Sequence, residues 1–533
     1  MKSKWKLLLA TLLSLAMVTA ACGGSSSDGA SESEESSSGS ESSESGESTD
    51  EGTVERGGTL TVGTLNYPST WAVNGSEYGN MVLFYQAAYD GLVRISADGS
   101  TIEPWLATDW SWNDDLTVLT MNLRDDVTFQ DGTSLDAEAA AASLNRFGTG
   151  SSPDASNLAS MESAVALDAT TLEITLSIQD PAFMNFLARN AGLVQNPASF
   201  DSETESTEPA GSGPYILDLD RTVAESTYTF TANPDYWAPE TIHYDELVLR
   251  PIADPTAMVN AIKAGEVNAA NLLSNDAVPE VEGAGWDTHT QELDWVGLTL
   301  VDRDGSMGTP LSDVRVRQAI NMALDNEAVL EAYGAGYGVV TTQVFNTSSP
   351  AFDPALDELY PYDIEAALAL MDEAGYADGF TLQMPSVAPL GEAVFAIIAD
   401  SLADINITVE YTDVAIASFF DEILAPNYPA YFMILEQSAN DWQAIKFLVS
   451  PDAVWNPSGY TDETASSLID QIQVAPESER DALVAELGAH VTQEAWFAPF
   501  YRNVSHFATD GGTDVTVQTG NAVPYLWSFT PQG

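Results

Sequence analysis

Apolar and polar positions follow two different periods along this chain. Thr171-Leu172-Glu173-Ile174-Thr175-Leu176 is apolar at every second position, which predicts a strand buried on one face. Elsewhere the spacing is helical. Asp254-Pro255 precedes Met258, Ala261 and Ile262, and Gly265 follows. That order predicts a capped helix with Pro at its first position and Gly just past its end. Asp313 leads into Val316, Ile320, Ala323 and Leu324, a stripe expected to close at Gly334. Pro476 opens a long helix bearing Leu483, Leu487 and Val491. Strands alternating with such helices predict α/β lobes, and their stripes read as core rather than as cofactor contacts.

The first residues are patterned differently. Lys2, Lys4 and Lys6 precede a mostly apolar run from Leu7 to Val18 and the small residues Thr19-Ala20-Ala21. This is the layout of an export signal, and about a dozen apolar residues fall short of the roughly 20 that span a bilayer. Cys22, the single cysteine, stands at the first position after the signal, the acceptor position of bacterial lipoproteins, although Thr19 replaces their usual Leu. The expectation is a signal peptide over 1–21 and lipid on the Cys22 sulfur, holding the chain at the outer face of the cell membrane. Residues 23–55 are almost entirely Gly, Ser, Glu, Asp and Thr, so 22–56 is expected to be a disordered tether.

Charge narrows the partners. Eighty Asp and Glu stand against 17 Lys and Arg, a formal net charge of -63, and after the signal the only lysines are Lys263 and Lys446. Such a chain lacks the basic surface that nucleic acid requires. Its self-repulsion is relieved by salt, which suits a saline external medium; the alternative is a lineage bias towards acidic exported proteins. One cysteine excludes an intramolecular disulfide and Cys-rich metal sites. The roughly 475 residues after the tether call for two or three domains.

Ordered blocks carry a family resemblance. Tyr89-Asp90-Gly91-Leu92-Val93-Arg94, Glu103-Pro104-Trp105-Leu106-Ala107 and Leu123-Arg124-Asp125-Asp126-Val127-Thr128-Phe129 come first. Gly211-Ser212-Gly213-Pro214-Tyr215, Asn233-Pro234-Asp235-Tyr236-Trp237, Ala264-Gly265-Glu266-Val267, Val314 to Asp325 and Ala374-Gly375-Tyr376 follow. Together they resemble the family 5 solute-binding proteins of bacterial ABC importers, whose members take dipeptides, oligopeptides or nickel. The resemblance implies an α/β, two-lobed periplasmic-binding-protein fold with an additional inserted domain. It places lobe I at 57–95, 205–290 and 500–533, the inserted domain at 96–204 and lobe II at 291–499. Strands crossing between the lobes would act as hinges.

No constellation calls for catalysis. The chain lacks a Gly-x4-Gly-Lys phosphate loop, a Gly-x-Ser-x-Gly elbow and a helix with paired zinc-binding histidines. Gly334-Ala335-Gly336-Tyr337-Gly338 follows a helix rather than a strand, which argues against a dinucleotide site. Asp302-Arg303-Asp304-Gly305 starts like a calcium loop, but its glycine comes too early, so a turn followed by a helix cap at Asp313 is expected. No cofactor or metal is expected.

The resemblance implies a solute held between the lobes. It sets Asp441 where peptide-binding relatives place an Asp that pairs with the solute's ammonium. Trp71, Trp295 and Trp442 offer large contact area with a polar edge, and Tyr67, Phe345 and Phe419 are further candidates for the cleft. Arg502 is either a carboxylate clamp or a structural ion pair. The expected function is a monomeric, lipid-anchored receptor that hands short peptides to an ABC permease and ATPase. An oligosaccharide or a nickel complex is an alternative solute, and an extracellular peptidase the disfavoured alternative class.

Overall fold

The computed structural model describes residues 56–532. The signal, Cys22 and nearly all of the acidic tether lie outside the described residues. Two long antiparallel strands, Asp287–Leu300 and Phe497–Thr509, organise the rest. They lie inside one nine-stranded sheet. Its order runs Ala430–Glu436, Asp287–Leu300, Phe497–Thr509, Ala269–Leu272, Thr59–Thr64, Glu246–Pro251, Tyr228–Ala232 and Tyr215–Leu217, and Gly338–Val340 adds to Phe497–Thr509.

The two long strands belong to both lobes. Their outer ends, 287–292 and 504–509, pair with each other beside Ala269–Leu272 in the first lobe. Their other halves, 294–300 and 497–503, pair beside Ala430–Glu436 in the second. The register slips between Glu292 and Asp294 and again between Val296 and Gly297. Such bulges bend a strand and re-aim its side chains. Gly297 is required there by close approach: a Cβ would lie 2.4 Å from the Ala498 carbonyl oxygen.

Between the helix Val82–Ala88 and the strand Tyr215–Leu217 the chain makes an inserted antiparallel sheet. Its order is Ala107–Trp112, Val118–Leu123, Thr171–Leu176, Met161–Ala166. The period-two segment Thr171–Leu176 is its third strand and buries Leu172, Ile174 and Leu176. The helix Ala137–Gly148 packs on this sheet; Asp136 caps it by accepting the Ala139 N–H.

Cap chemistry places the other helices. Asp254 accepts from Ala257 N at 2.7 Å and starts Pro255–Lys263 with Pro at its first position; Gly265 follows at φ +66°. The stripe after Asp313 differs from expectation: Val314–Ala323 ends early, and a second helix occupies Asn326–Tyr333. Leu324 is extended there, and the Asp325 carboxylate takes the Ala328 N–H, so a new N-cap interrupts the run. The glycine-rich 334–338 follows that helix as a turn. Asp302 is sealed by donors of its own loop: Met307 N, Thr309 N and Thr309 Oγ1, at 2.7–2.9 Å.

The sequence blocks meet in space at one carboxylate. Asp90 is 2% exposed and accepts hydrogen bonds from Trp105 Nε1 (2.8 Å), Tyr236 OH (2.7 Å), Ser212 Oγ (2.7 Å) and Trp237 Nε1 (3.2 Å). The donors come from three separate blocks: Trp105, Ser212, and Tyr236 with Trp237. Four donors suit an acceptor-only group, and they oppose the burial that pushes its pKa up. Gly211 and Gly213 let that backbone lie against residues 87–89, where a Cβ would sit within 2.2–2.4 Å of Ala88 atoms. Removing the Asp90 carboxylate orphans the set: D90A is expected to lose roughly 3 kcal/mol or more of stability, read as a lowered denaturation midpoint.

Candidate functional site

A cavity of about 320 Å³ opens at the seam of the two lobes. From the first lobe and the inserted domain it is lined by Glu77, Tyr78, Asp154, Arg189 and Asn190. The two long strands contribute Leu293, Asp294 and Asn503, and the second lobe Glu436, Gln443, Phe420 and Trp455. A larger chamber of about 740 Å³ adjoins it and shares Tyr78, Arg189, Gly520 and Asn521. Trp110, Trp112 and Tyr525 line this chamber, facing Asn440, Gln473 and Arg480 of the second lobe. At one point the two sides touch: Gln473 Nε2 donates to the Gln179 carbonyl at 3.2 Å.

Arg189 is held out into the seam by a tight turn. It follows the short helix Phe183–Leu187 in an extended conformation, and Asn190–Gly192 turns the chain back. Gly192 is obligatory, because a Cβ would sit 1.8 Å from the Leu187 carbonyl oxygen. The turn is pinned from below: Leu92 N donates to Gly192 O (2.9 Å) and Val194 N to Asp90 O (3.0 Å). The guanidinium lies 5.0 Å from the Tyr78 ring. Among the described residues it makes no hydrogen bond and no ion pair within 4.0 Å, alone among the twelve arginines, and its buried Nε has no partner.

Acids face it. Asp294 and Glu436 are directly opposite each other across the strand pair. Burial, then the neighbouring Glu436, raise the Asp294 carboxyl to about 7. Burial and Asp154 push Glu436 up, while Arg189 pulls it down. Asp154 is also raised by burial, against hydrogen bonds from Asn190 Nδ2 (2.8 Å) and Tyr78 N (3.1 Å). Among the described residues no group of three or more His, Cys, Asp or Glu is placed to hold a metal ion.

The residues expected from sequence lie close to this lining but not in it. Trp295 is fully buried against Phe497, with ring centroids 5.5 Å apart, and its neighbour Asp294 faces the cavity. Arg502 donates through its two terminal nitrogens to Thr341 Oγ1 (2.6 Å) and Asp357 (3.0 Å), which makes it an ion pair within the lobe; Asn503 lines the cavity. Phe419 is in the core and Phe420 in the lining. Trp442 is buried beside Lys446, and Gln443 lines the cavity. Asp441 accepts from Ser349 Oγ, with its pKa raised by burial, and Asn440 reaches the larger chamber. Trp71 packs among Phe84, Tyr85, Tyr228 and Phe230 at 6.1–6.4 Å, inside the first lobe. Phe345 is buried, and Tyr67 is 36% exposed on the loop after the first strand; neither lines these cavities. Arg189, Asp294 and Glu436 escaped the sequence reading. The one signal for Arg189 was the scarcity of cations.

Comparison with known proteins agrees with the architecture. The model of bacterial extracellular solute-binding proteins, family 5, matches residues 101–458. The glutathione-binding protein GsiB of Escherichia coli O1:K1 is 28% identical over 341 residues, 61% of this chain and 63% of that protein. The chain therefore spans just under two thirds of the curated relatives it matches. HbpA2 of Haemophilus parasuis has the same fold, with a TM-score of 0.80 at 21% identity, over 89% of this chain and 100% of that one. DppA of Helicobacter pylori, solved with the peptide STSA, gives 0.72 at 20% identity over 91% and 100%. No helix among the described residues is long and apolar enough to cross a membrane. The chain belongs to the bacterial extracellular solute-binding proteins of family 5, and it is a binding protein rather than an enzyme.

Proposed function

We propose that this chain is the receptor of an ABC importer and captures a short peptide, or a similar small solute bearing a carboxylate, in the seam cavity. One observation carries the reading. In a chain with 80 acidic residues, Arg189 stands in the seam with no anion within ion-pair distance among the described residues. A guanidinium reads a carboxylate bidentately, and such charge-assisted bonds are about twice as strong as neutral ones. The cavity volume falls in the ~300–1,000 Å³ range of small-molecule sites, and the adjoining chamber gives room for further residues. Glutathione for GsiB and STSA for DppA support a peptide as the solute class.

Capture would work by closure. The first lobe (57–95, 205–290, 500–533) and the inserted domain (96–204) bring Arg189, and lobe II (291–499) brings Glu436, with the slipped registers near 292–297 as the hinge. A solute touching both sides binds the closed form better and shifts the population towards it. Lipid on Cys22 and the acidic tether would keep a monomeric receptor beside its permease at the cell exterior.

Two results are expected. R189A weakens the binding of the peptide that co-purifies with the protein by at least about tenfold, measured by the fluorescence of Trp455 and Trp112 in the linings; unchanged affinity would sink the reading. The second concerns pH. Asp294 titrates at about 7 in the folded chain, against about 3.9 unfolded. Between those values the folded state holds a proton that the unfolded state has released, so stability falls as pH rises from about 3.9 to about 7 and is level above that. D294N removes that loss. It should raise the unliganded melting temperature by about 2 °C at pH 8 and leave it unchanged near pH 4.

A further inference from the structure

The described residues hold twelve arginines and two lysines. Nine of the arginines and both lysines have a carboxylate within 4.0 Å. Three cations have none among the described residues: Arg189, Arg303 and Arg480. Arg303 is 2% exposed inside the second lobe, where it donates to the Trp496 carbonyl and Asn456. The other two line one chamber, the larger one of about 740 Å³, Arg189 from the inserted domain and Arg480 from the second lobe. In a chain with 80 acids, unpaired cations on both sides of one chamber point to anions that come from outside.

Arg480 stands in the first turn of the helix Glu477–Gln493, where a cation opposes the helix dipole, so it is not placed there to stabilise that helix. Its Nη2 donates to the Ala475 carbonyl at 3.0 Å, and its Nε is sealed from solvent. Nη1 is neither sealed nor hydrogen-bonded among the described residues, and the same holds for both terminal nitrogens of Arg189. Burial lowers the Arg480 pKa, while Glu477, Asp481 and Asp441 raise it from beyond ion-pair distance. Asp441 already accepts from Ser349, and Asp180, the other acid of the lining besides Glu477, accepts from Ser160 Oγ (2.8 Å) and Ala182 N (3.0 Å). A separate observation concerns neutral donors. The indole N–H groups of Trp110 and Trp112, also in this lining, are neither sealed nor hydrogen-bonded among the described residues. Asn440 uses its Oδ1 on the Gln443 N–H, which leaves its NH₂ without an acceptor there. Open N–H groups on both sides of the chamber suit an oxygen-rich anion.

We infer that Arg480 is a second anion subsite, so that the solute carries two carboxylates, one on Arg189 and the other, an acidic side chain or its equivalent, on Arg480 across the chamber. The inference rests on the seam cavity and its adjoining chamber being the solute site, and it narrows the solute class to acidic peptides and like dianions. The Nη1 group gives the incoming carboxylate a charge-assisted hydrogen bond while Nη2 stays on Ala475. A neutral amide in the same place would leave the guanidinium desolvated and unmatched. A dianion held at both ends touches the inserted domain and the second lobe at once and so favours the closed form.

The test uses the full chain and two tripeptide libraries with otherwise uncharged side chains, one carrying a single Glu at any position and the other Gln in its place. Retention is read by native mass spectrometry and affinity by fluorescence. The Glu library should bind at least tenfold more tightly than the Gln library. R480Q, whose folding is checked by its melting curve, should erase that preference without weakening the Gln library, and R480K, which keeps the charge, should retain part of it. R189A should weaken both libraries. Equal binding of the two libraries to the unaltered chain, with both weakened in R189A, overturns the second subsite and leaves the Arg189 anchor standing. A preference for Glu that survives in R480Q overturns the assignment to Arg480. A preference that R480Q erases, with neither library weakened in R189A, removes the Arg189 anchor and keeps the subsite. Failure of both libraries to bind overturns both readings.

Discussion

The buried carboxylate of Asp90 is the constraint from which the site follows. Four donors from Trp105, Ser212, Tyr236 and Trp237 converge on it, so the strand entering the inserted domain and the segments returning from it are tied to one point. The same stretch of backbone pairs with the turn after Arg189, through Leu92 N to Gly192 O and Val194 N to Asp90 O. A single charge therefore does two things. It holds the inserted domain to the first lobe, and it fixes the turn from which the guanidinium reaches the seam. A charge buried so completely is costly unless fully hydrogen-bonded, which explains why residues far apart in sequence, 90, 105, 212 and 236–237, are coupled.

The second lobe uses buried arginines in the same structural way. Arg317 is 2% exposed and donates to the carbonyls of Leu311, Glu494 and Ala495, closing the open C-terminus of the helix Glu477–Gln493. Arg502 locks Thr341 and Asp357 to the strand Phe497–Thr509. With these cations engaged in holding the lobe together, the proposed closure would move it as a rigid body about the slipped registers at 292–297. The bulges serve both purposes: they interrupt regular pairing where bending is needed, and they turn Asp294 towards the cavity.

Most of the fold was legible because its determinants are local or patterned. The strand Thr171–Leu176 showed its period, and Asp254-Pro255 with Gly265 showed both helix ends. The one misread helix, running through Leu324, failed for a local reason too, since Asp325 is a strong N-cap and competes with helix continuation. Four of the residues expected from sequence stand one position away from the lining of the candidate cavity. Trp295, Arg502, Phe419 and Trp442 stand next to the lining residues Asp294, Asn503, Phe420 and Gln443. Trp295 and Arg502 are strand residues, whose neighbours point to the opposite face, while Phe419 and Trp442 lie in the short helices Ile416–Ile423 and Asp441–Ala444, where the next residue is turned by about 100°. Large aromatics and a bidentate Arg attract attention in a sequence, yet they sit on the packed face because burial stabilises them most there. The face left to the solute carries the less conspicuous Asp, Asn and Gln. Bulges compound the problem, because they shift the alternation without a sequence mark.

The extreme acidity of the chain bears directly on selectivity. Nine of the other arginines have an acid within ion-pair distance. Arg303 donates instead to the Trp496 carbonyl and Asn456, and Arg480 to the Ala475 carbonyl. With anions this abundant, leaving Arg189 unpaired requires that its surroundings hold the acids back. Asp154 is engaged by Asn190 and the Tyr78 N–H, and Glu436 sits on the opposite lobe. On the proposed reading, an anion-bearing solute would meet an Arg189 that has no acid within ion-pair distance among the described residues, although Glu436 and Asp154 are close enough to interact with it. A solute without one would leave a desolvated guanidinium in the closed cleft. Sites built on a buried polar group reject ligands lacking its counterpart far more strongly than apolar pockets reject a missing methylene, so under the proposed function discrimination would reside in the charge pattern of the seam more than in its shape.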